Sequence, residues 1–467
     1  MVLVLPLALI AGLACLLLLA GPHPYLAPLV LPGLALLVAL YRQPTLGLLA
    51  LLALVPFEGL FSAADASAGG GAGGGGGLTL NKLLGLTLIA IAGLQLLLRR
   101  LPAQRLRSNL WPPLLAFLAW YLLSLAFSSH LGLSLQHLRQ LTGGLTLFVL
   151  AVLLGRDLDL STLARVLVLS VASTCALALL SGDAPPDSRA SGLLADPNYF
   201  ALLISVAFPL ALLLALRAPR PARRLFWLAL LALLLATLVR TGSRSGLLVA
   251  LLTALMSAWH YRARLKHLPG RHLGWLILAL AIALPLAPRL LPDSLVQRLE
   301  ALTSLRSGVN AHADPSLARR SAYLLVGGQV LAEHPLLGSG PGTFPLEFAR
   351  TGYAIAFADR PHPNDLYREA HNTYLGMFSE TGLPGGLLFA GLVTLALRNC
   401  LVARRHWLER GDPGRAALAA HFGLSCLALA CFLFFLSVPS HKYLWVMLGI
   451  TSLLRLQADD DAAGGRP

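Results

Sequence analysis

Charge is what this chain has least of. Only 12% of its 467 residues are Asp, Glu, Lys or Arg, about half the share of an ordinary soluble protein. With 57% hydrophobic residues, a mean hydropathy of +0.73 and apolar runs long enough to cross a bilayer, the shortage excludes a soluble globular domain. The fold class it leaves is all-α, a polytopic helical membrane protein. Cysteine is scarce too. The five cysteines, Cys15, Cys175, Cys400, Cys426 and Cys431, form no CxxC pair and mostly fall inside apolar runs, so they read as core packing and not as metal or redox groups. The sequence also lacks HExxH, GxSxG and a DxD-like pair in its outward segments. Metal-assisted hydrolysis and serine-nucleophile chemistry are therefore not indicated, and neither a metal nor a cofactor is expected. A glycine run, Gly69 to Gly77 broken by Ala72, has no GK[ST] ending; it reads as a flexible linker, not a phosphate loop.

Acidic residues are the scarcer sign, 21 against 36 basic, for a net charge of +15. In a soluble chain this would suggest nucleic acid, but no basic–aromatic platform is present. The basic residues gather instead in short loops between apolar runs. Arg99, Arg100, Arg105 and Arg107 fill one, and Arg217, Arg220, Arg223 and Arg224 another. Arg262, Arg264, Lys266 and Arg271 fill a third, and Arg398, Arg404, Arg405, Arg410 and Arg415 a fourth. About fourteen spans can be drawn, at 2–20, 25–40, 45–61, 78–98, 111–127, 137–155, 161–181, 199–216, 225–239, 245–259, 273–290, 373–397, 416–437 and 441–455, with twelve as the lower figure. The run from Val2 lacks a basic n-region and is read as a span, not a cleaved signal. With fourteen alternating spans all four basic loops share one side, which the positive-inside rule makes cytoplasmic. The chain then divides into an N-terminal bundle (1–181, with the Gly-rich outer loop at 62–77), central spans (182–290), a long outer segment (291–372), C-terminal helices (373–456) and a cytoplasmic tail (457–467).

Chemistry is expected where polar residues stand against this pattern, on the outer face. Arg189 precedes Gly192 and the helix-start signal Asp196-Pro197-Asn198; a capped loop with a solvated arginine is the plain alternative. Thr241-Gly242-Ser243-Arg244-Ser245-Gly246 joins two apolar runs, and an arginine at a span's mouth needs water, a carboxylate or an anion. Guanidinium suits bidentate phosphate contact. In the long polar segment a helix is predicted from Pro315 to about Glu333, stopped by His334-Pro335; it carries Arg319 and Arg320, a pair that is otherwise a solvated face. Gly338 to Gly342 forms a tight turn. His371, beside Glu369 and Asn372, ends the segment. It is either a satisfied interfacial histidine or a general base with suitable intrinsic pKa. Together these residues suit a phosphate-bearing, membrane-held donor and a hydroxyl acceptor.

In this order, Arg189-x-x-Gly192 with Asp196-Pro197-Asn198, Thr241 to Gly246, Arg320-Ser321-Ala322-Tyr323, His334 to Gly340, His371-Asn372-Thr373-Tyr374-Leu375 and Glu380 to Gly386 resemble the O-antigen ligase and O-antigen polymerase superfamily of bacterial envelope glycosyltransferases. The resemblance covers about 185–400. It implies a metal-independent, inverting glycosyltransferase in the bacterial inner membrane with a periplasmic site. The implied donor is a glycan on undecaprenyl diphosphate, and the implied acceptor lipid A–core for a ligase or a second lipid-linked glycan for a polymerase. Carried over by motif, Arg244 and Arg320 would hold the diphosphate, His371 would deprotonate the acceptor hydroxyl, Arg189 would be an auxiliary contact and Arg319 an alternative to Arg320. A transporter or flippase is the reading from another class; it predicts mid-span ionisable residues and inverted repeats, and the spans are nearly free of charge.

Overall fold

The computed structural model describes residues 16, 20, 24–58, 80–180, 189–194, 196–262, 315–357 and 366–464. The glycine run, the candidate span at 273–290 and nearly all of that at 2–20 lie outside them. The described residues are helical, with no strand among them. In chain order they form α1 (Val30–Arg42), α2 (Pro44–Leu54), α3 (Leu80–Leu97), α4 (Trp111–Ala126), α5 (Leu131–Leu154), α6 (Leu160–Leu180), α7 (Pro197–Arg217), α8 (Pro221–Arg240) and α9 (Arg244–His260). After the gap come α10 (Pro315–Glu333), the short α11 (Phe344–Ala349) and α12 (Gly352–Ala356), then α13 (Thr373–Glu409), α14 (Pro413–Phe432) and α15 (Lys442–Gly464). This is an all-α, multi-pass membrane protein. Seven of the described helices are long and apolar enough to cross a bilayer, or eight if a bent pair counts as one crossing.

That pair is one place where the span count departs from the sequence reading; α4, α9 and α15, each read as a span, are not among the seven either. The runs at 25–40 and 45–61, read as two spans, are two short helices bent by 110° at Gln43. Pro44 opens α2 at a position where its missing N–H costs nothing, and neither helix alone has the length of a crossing. A second departure is at 128–136, expected to be an outer loop. It is mostly helix, because α5 begins at Leu131.

α7 sits at the centre, flanked by α6, α8, α9 and α14, with Phe200, Leu202, Ile204, Leu210 and their neighbours buried all round the helix. An apolar helix buried on every face belongs in a core. α3 and α8 bury little and present leucines outward, as lipid-facing helices do.

Among the described residues, three of the basic loops meet at one end of this bundle. Arg105 pairs with Asp157, Ser108 accepts from Ser452 at 2.7 Å, and Asp461 holds Arg415 at 2.5 Å and Trp407 at 3.1 Å. Arg217 donates to the carbonyl of Gly414, and Arg404 to His260 at 3.1 Å. The opposite end carries the polar segment. As predicted, α10 runs to Glu333 and Asp196 caps α7. α10 packs through Ala322, Tyr323, Val326 and Val330 onto Phe344, Phe348, Ala354 and Ala370, a small apolar core of its own.

The two glycine motifs turn out to be one structure. α13 is broken at Gly382, whose φ of +72° is outside helical geometry, and Pro384 follows with no N–H to give. The carbonyls freed by the break are taken by other groups. Ser379 O accepts from Ser339 N at 3.1 Å, Glu380 O from Gly340 N at 2.9 Å and from Ser124 Oγ at 3.0 Å, and Thr381 O from Trp120 Nε1 at 3.0 Å. Leu383 N donates to Pro335 O at 2.8 Å. Both Glu380 carboxylate oxygens receive N–H groups, from Gly342 at 2.8 Å and Phe344 at 3.2 Å. A buried backbone group left unpaired costs about 1–3 kcal/mol, so the turn and the break complete each other. A Cβ at Gly338 would lie 2.2 Å from the Glu380 carbonyl carbon, and one at Gly382 2.0 Å from Leu336 O. Only glycine allows that approach.

Candidate functional site

Two polar constructions meet at the end away from the basic loops. The first joins α8 to α9. Thr241 ends α8, Gly242 turns with φ +59°, and Ser243 caps α9 by accepting from Gly246 N at 3.2 Å. Such a cap is worth about 1 kcal/mol. Ser243 Oγ also donates to Asn198 Oδ1 at 2.9 Å. Arg189 crosses the turn, donating from Nε to Thr241 O at 2.7 Å and from Nη2 to Asn198 Oδ1 at 3.2 Å. Its guanidinium therefore acts as the clamp of the α8–α9 turn. Arg244 is the first residue of α9, so its charge adds to the positive end of a helix dipole, the arrangement that favours an anion.

The second construction carries Arg319, Arg320 and His371. Arg319 and Arg320 precede Tyr323 by a helical turn on α10. The Arg320 guanidinium lies 5.6 Å from the ring centroid of Phe435, and Tyr323 lies 5.7 Å from the His371 ring at an interplanar angle of 34°. His371 has a left-handed φ of +46°, uncommon for a non-glycine residue. The turn is held from both sides. Asn372 caps α13 by accepting from Leu375 N at 3.1 Å, and Thr373 donates from N to Leu433 O at 2.7 Å and from Oγ1 to Leu436 O at 2.5 Å.

The loop between α14 and α15 brings the two together. Its Leu433 and Leu436 hold Thr373, its Phe435 faces Arg320, and its Ser437 O accepts from Tyr199 Oη at 3.3 Å at the start of α7. The structure thus gathers His371, Arg320 and the turn holding Arg189 and leading into Arg244. Arg319 lies on α10 one residue before Arg320, and its charge too reaches His371. Burial, foremost, and the charges of Arg320, Arg368 and Arg319 hold the His371 imidazolium below the usual histidine range, against Asp196. A neutral imidazole among cations is a base kept ready to accept a proton. Burial likewise raises the Tyr323 phenol, with Arg368 foremost among the cations opposing it.

Residues beyond the expected set also reach this region. Arg368 acts on both Tyr323 and His371. Beside the 368–371 segment, a cavity of about 190 Å³ is lined by Gln136, His137, Gln140, Glu369, Ala370 and Glu380, among others. His137 Nδ1 stands 3.9 Å from Glu380 Oε2. Although its tip reaches solvent, the Glu369 carboxyl is raised by the protein around it, opposed by His137 and reinforced by Glu380. Glu380 stood within a motif noticed for its glycines. His137 carried no signal, a histidine on the shoulder of an apolar run.

Residues 229–390 match the family model described as O-antigen ligase (Wzy_C). The match runs from within α8 past the break in α13, so it takes in Arg244, Arg319, Arg320 and His371 but not Arg189. No curated protein matches the chain.

Proposed function

From that match, which supports an O-antigen ligase-like superfamily member with a glycosyltransferase-like role on glycan and lipid substrates in the membrane, we propose that the protein is an inverting, metal-independent glycosyltransferase of the ligase type. It takes a glycan from undecaprenyl diphosphate and passes it to a hydroxyl of lipid A–core, at the periplasmic face of the bacterial inner membrane. The observation that carries the reading is His371, half-buried, held in a left-handed turn and surrounded by the charges of Arg319, Arg320 and Arg368.

In this mechanism His371 takes the acceptor's hydroxyl proton as the oxygen attacks the anomeric carbon. The bond from that carbon to the phosphate oxygen breaks on the opposite face, which inverts the centre, and undecaprenyl diphosphate leaves with the electron pair. Arg244 and Arg320 stabilise the charge that grows on the leaving group, the kind of interaction that is worth most in a water-poor site. Arg319 supplements Arg320. Arg189 supports the diphosphate contact indirectly, by fixing the turn from which Arg244 projects. No step calls for a metal.

Transfer of a labelled glycan from undecaprenyl diphosphate to purified lipid A–core, by the protein in nanodiscs, tests the reading. His371→Ala, Arg244→Ala and Arg320→Ala should each lower turnover by about 100-fold or more, with EDTA making little difference. Retained turnover in His371→Ala sinks the base assignment, and strong inhibition by EDTA sinks the metal-free mechanism. A polymerase would use the same chemistry on a different acceptor. In a deletion strain, core bare of O-chain marks a ligase, and core carrying a single repeat marks a polymerase.

A further inference from the structure

We propose that the cavity beside His371 seats the sugar ring of the acceptor, and that it accepts an uncharged pyranose in preference to an acidic or phosphorylated one. The proposal rests on the transferase reading above and adds to it a place and a selectivity for the second substrate.

Size comes first. At about 190 Å³ the cavity is smaller than the ~300–1,000 Å³ that drug-sized ligands occupy, which leaves room for one ring and not for an oligosaccharide. Its charge is the second point. Among the described residues neither arginine nor lysine lines it, whereas Glu369, Glu380 and His137 do. Arg320, Arg368 and Arg319 act instead on His371, so cations gather at the base and carboxylates at the cavity. A diphosphate entering the cavity would face carboxylates, and a ring of hydroxyls would not.

The lining also has the chemistry of sugar recognition. Leu133, Gln136, His137 and Gln140 recur at i, i+3, i+4 and i+7, one stripe of α5 turned into the cavity. Amides donate and accept together, and a carboxylate accepts from neighbouring hydroxyls. Glu380 is already engaged by the N–H groups of Gly342 and Phe344, so it belongs to the wall. Glu369, at the mouth, and the two glutamines are the groups available to a ligand, with Leu133 and Pro345 as accessible apolar surface for a ring face. Ala370 lines the cavity between Glu369 and His371, so a ring held by Glu369 is held two residues along the chain from the base.

Two measurements on the full protein in nanodiscs test this. In saturation-transfer NMR, methyl glucopyranoside and methyl galactopyranoside should take up saturation, with methyl glucuronide well below them. Glu369→Ala and Gln140→Leu should each remove most of the neutral signal, and Arg320→Ala should leave it. In the transfer assay, Glu369→Ala should raise the KM for lipid A–core about tenfold with the donor KM unchanged, while Arg320→Ala should do the reverse. The cavity assignment is overturned if no neutral glycoside saturates the wild type, if the uronide saturates equally, if both lining variants bind as wild type does, or if Glu369→Ala acts on the donor. Glycoside binding lost in both lining variants, in a protein that transfers nothing from any lipid diphosphate, would leave the cavity standing and remove the transferase reading. Gln140→Leu, on a surface-exposed helical position, keeps the test open should Glu369→Ala fail to fold.

Discussion

At the scale of the residue, the charge state of His371 decides whether the site works. Its neighbours disfavour the imidazolium, so the neutral base persists to lower pH than a solvent-exposed histidine would allow. Arg320→Gln removes one of the cations responsible, and the histidine pKa should then rise. The acid limb of the kcat/KM profile should move to higher pH, on top of the general loss from a weaker diphosphate contact. A profile whose acid limb stays in place would show that Arg320 does not face the base. Arg244 and His371 could be picked out as single residues because they stand at the mouths of apolar runs. The bonds of Arg189 to Thr241 and Asn198 could not be. Nothing in the sequence pairs position 189 with position 241.

At the scale of the element, the interlock of the Gly338 turn with the α13 break is the feature most sensitive to change. Gly338→Ala must place a methyl group against the Glu380 backbone and hold a φ of +68°. Strain of this kind costs on the order of 1–3 kcal/mol before the clash is counted. A marked fall in Tm by intrinsic fluorescence, with loss of transfer, is the expected result; a variant as stable as wild type would contradict the contact. The helices themselves were legible, since an apolar run of the right length in a membrane chain has few other fates. Their ends were less so. The start of α5 was placed at 137 and not 131 because Gly132, Ser134 and Gln136 break the apolar run there. Gln136, with His137 and Gln140, lines a cavity. Glu380 was visible within its motif, but its partners at 342 and 344 lie far along the chain, joined to it by folding alone.

At the scale of the whole molecule, the separation of basic loops from the candidate site is a statement about two ends of one bundle. Arg105, Arg217, Arg404 and Arg415 are tied into one end; Arg189, Arg320 and His371 into the other. Single cysteines at 244 and 371, introduced into a cysteine-free background, should label with a membrane-impermeant maleimide from the outer side of intact spheroplasts. Cysteines at 107 and 410 should label only after lysis. Positions 244 and 371 reporting from different sides would leave no common pocket. The overall span number was the weakest whole-molecule inference, because a run split by Gln43-Pro44 looks the same whether its halves cross twice or fold back.

The interruption of α13 has a mechanical corollary. Above Gly382 the helix is fastened to the Pro335–Gly340 turn and to α4, and Leu383 N donates to Pro335 O of that turn instead of to the helix above. A tilt of the lower rod, as a thicker or thinner bilayer would impose, thus meets a joint before it reaches the imidazole. Turnover should accordingly vary little between nanodiscs of short and long acyl chains, and a steep dependence on lipid length would mean that the joint is stiff.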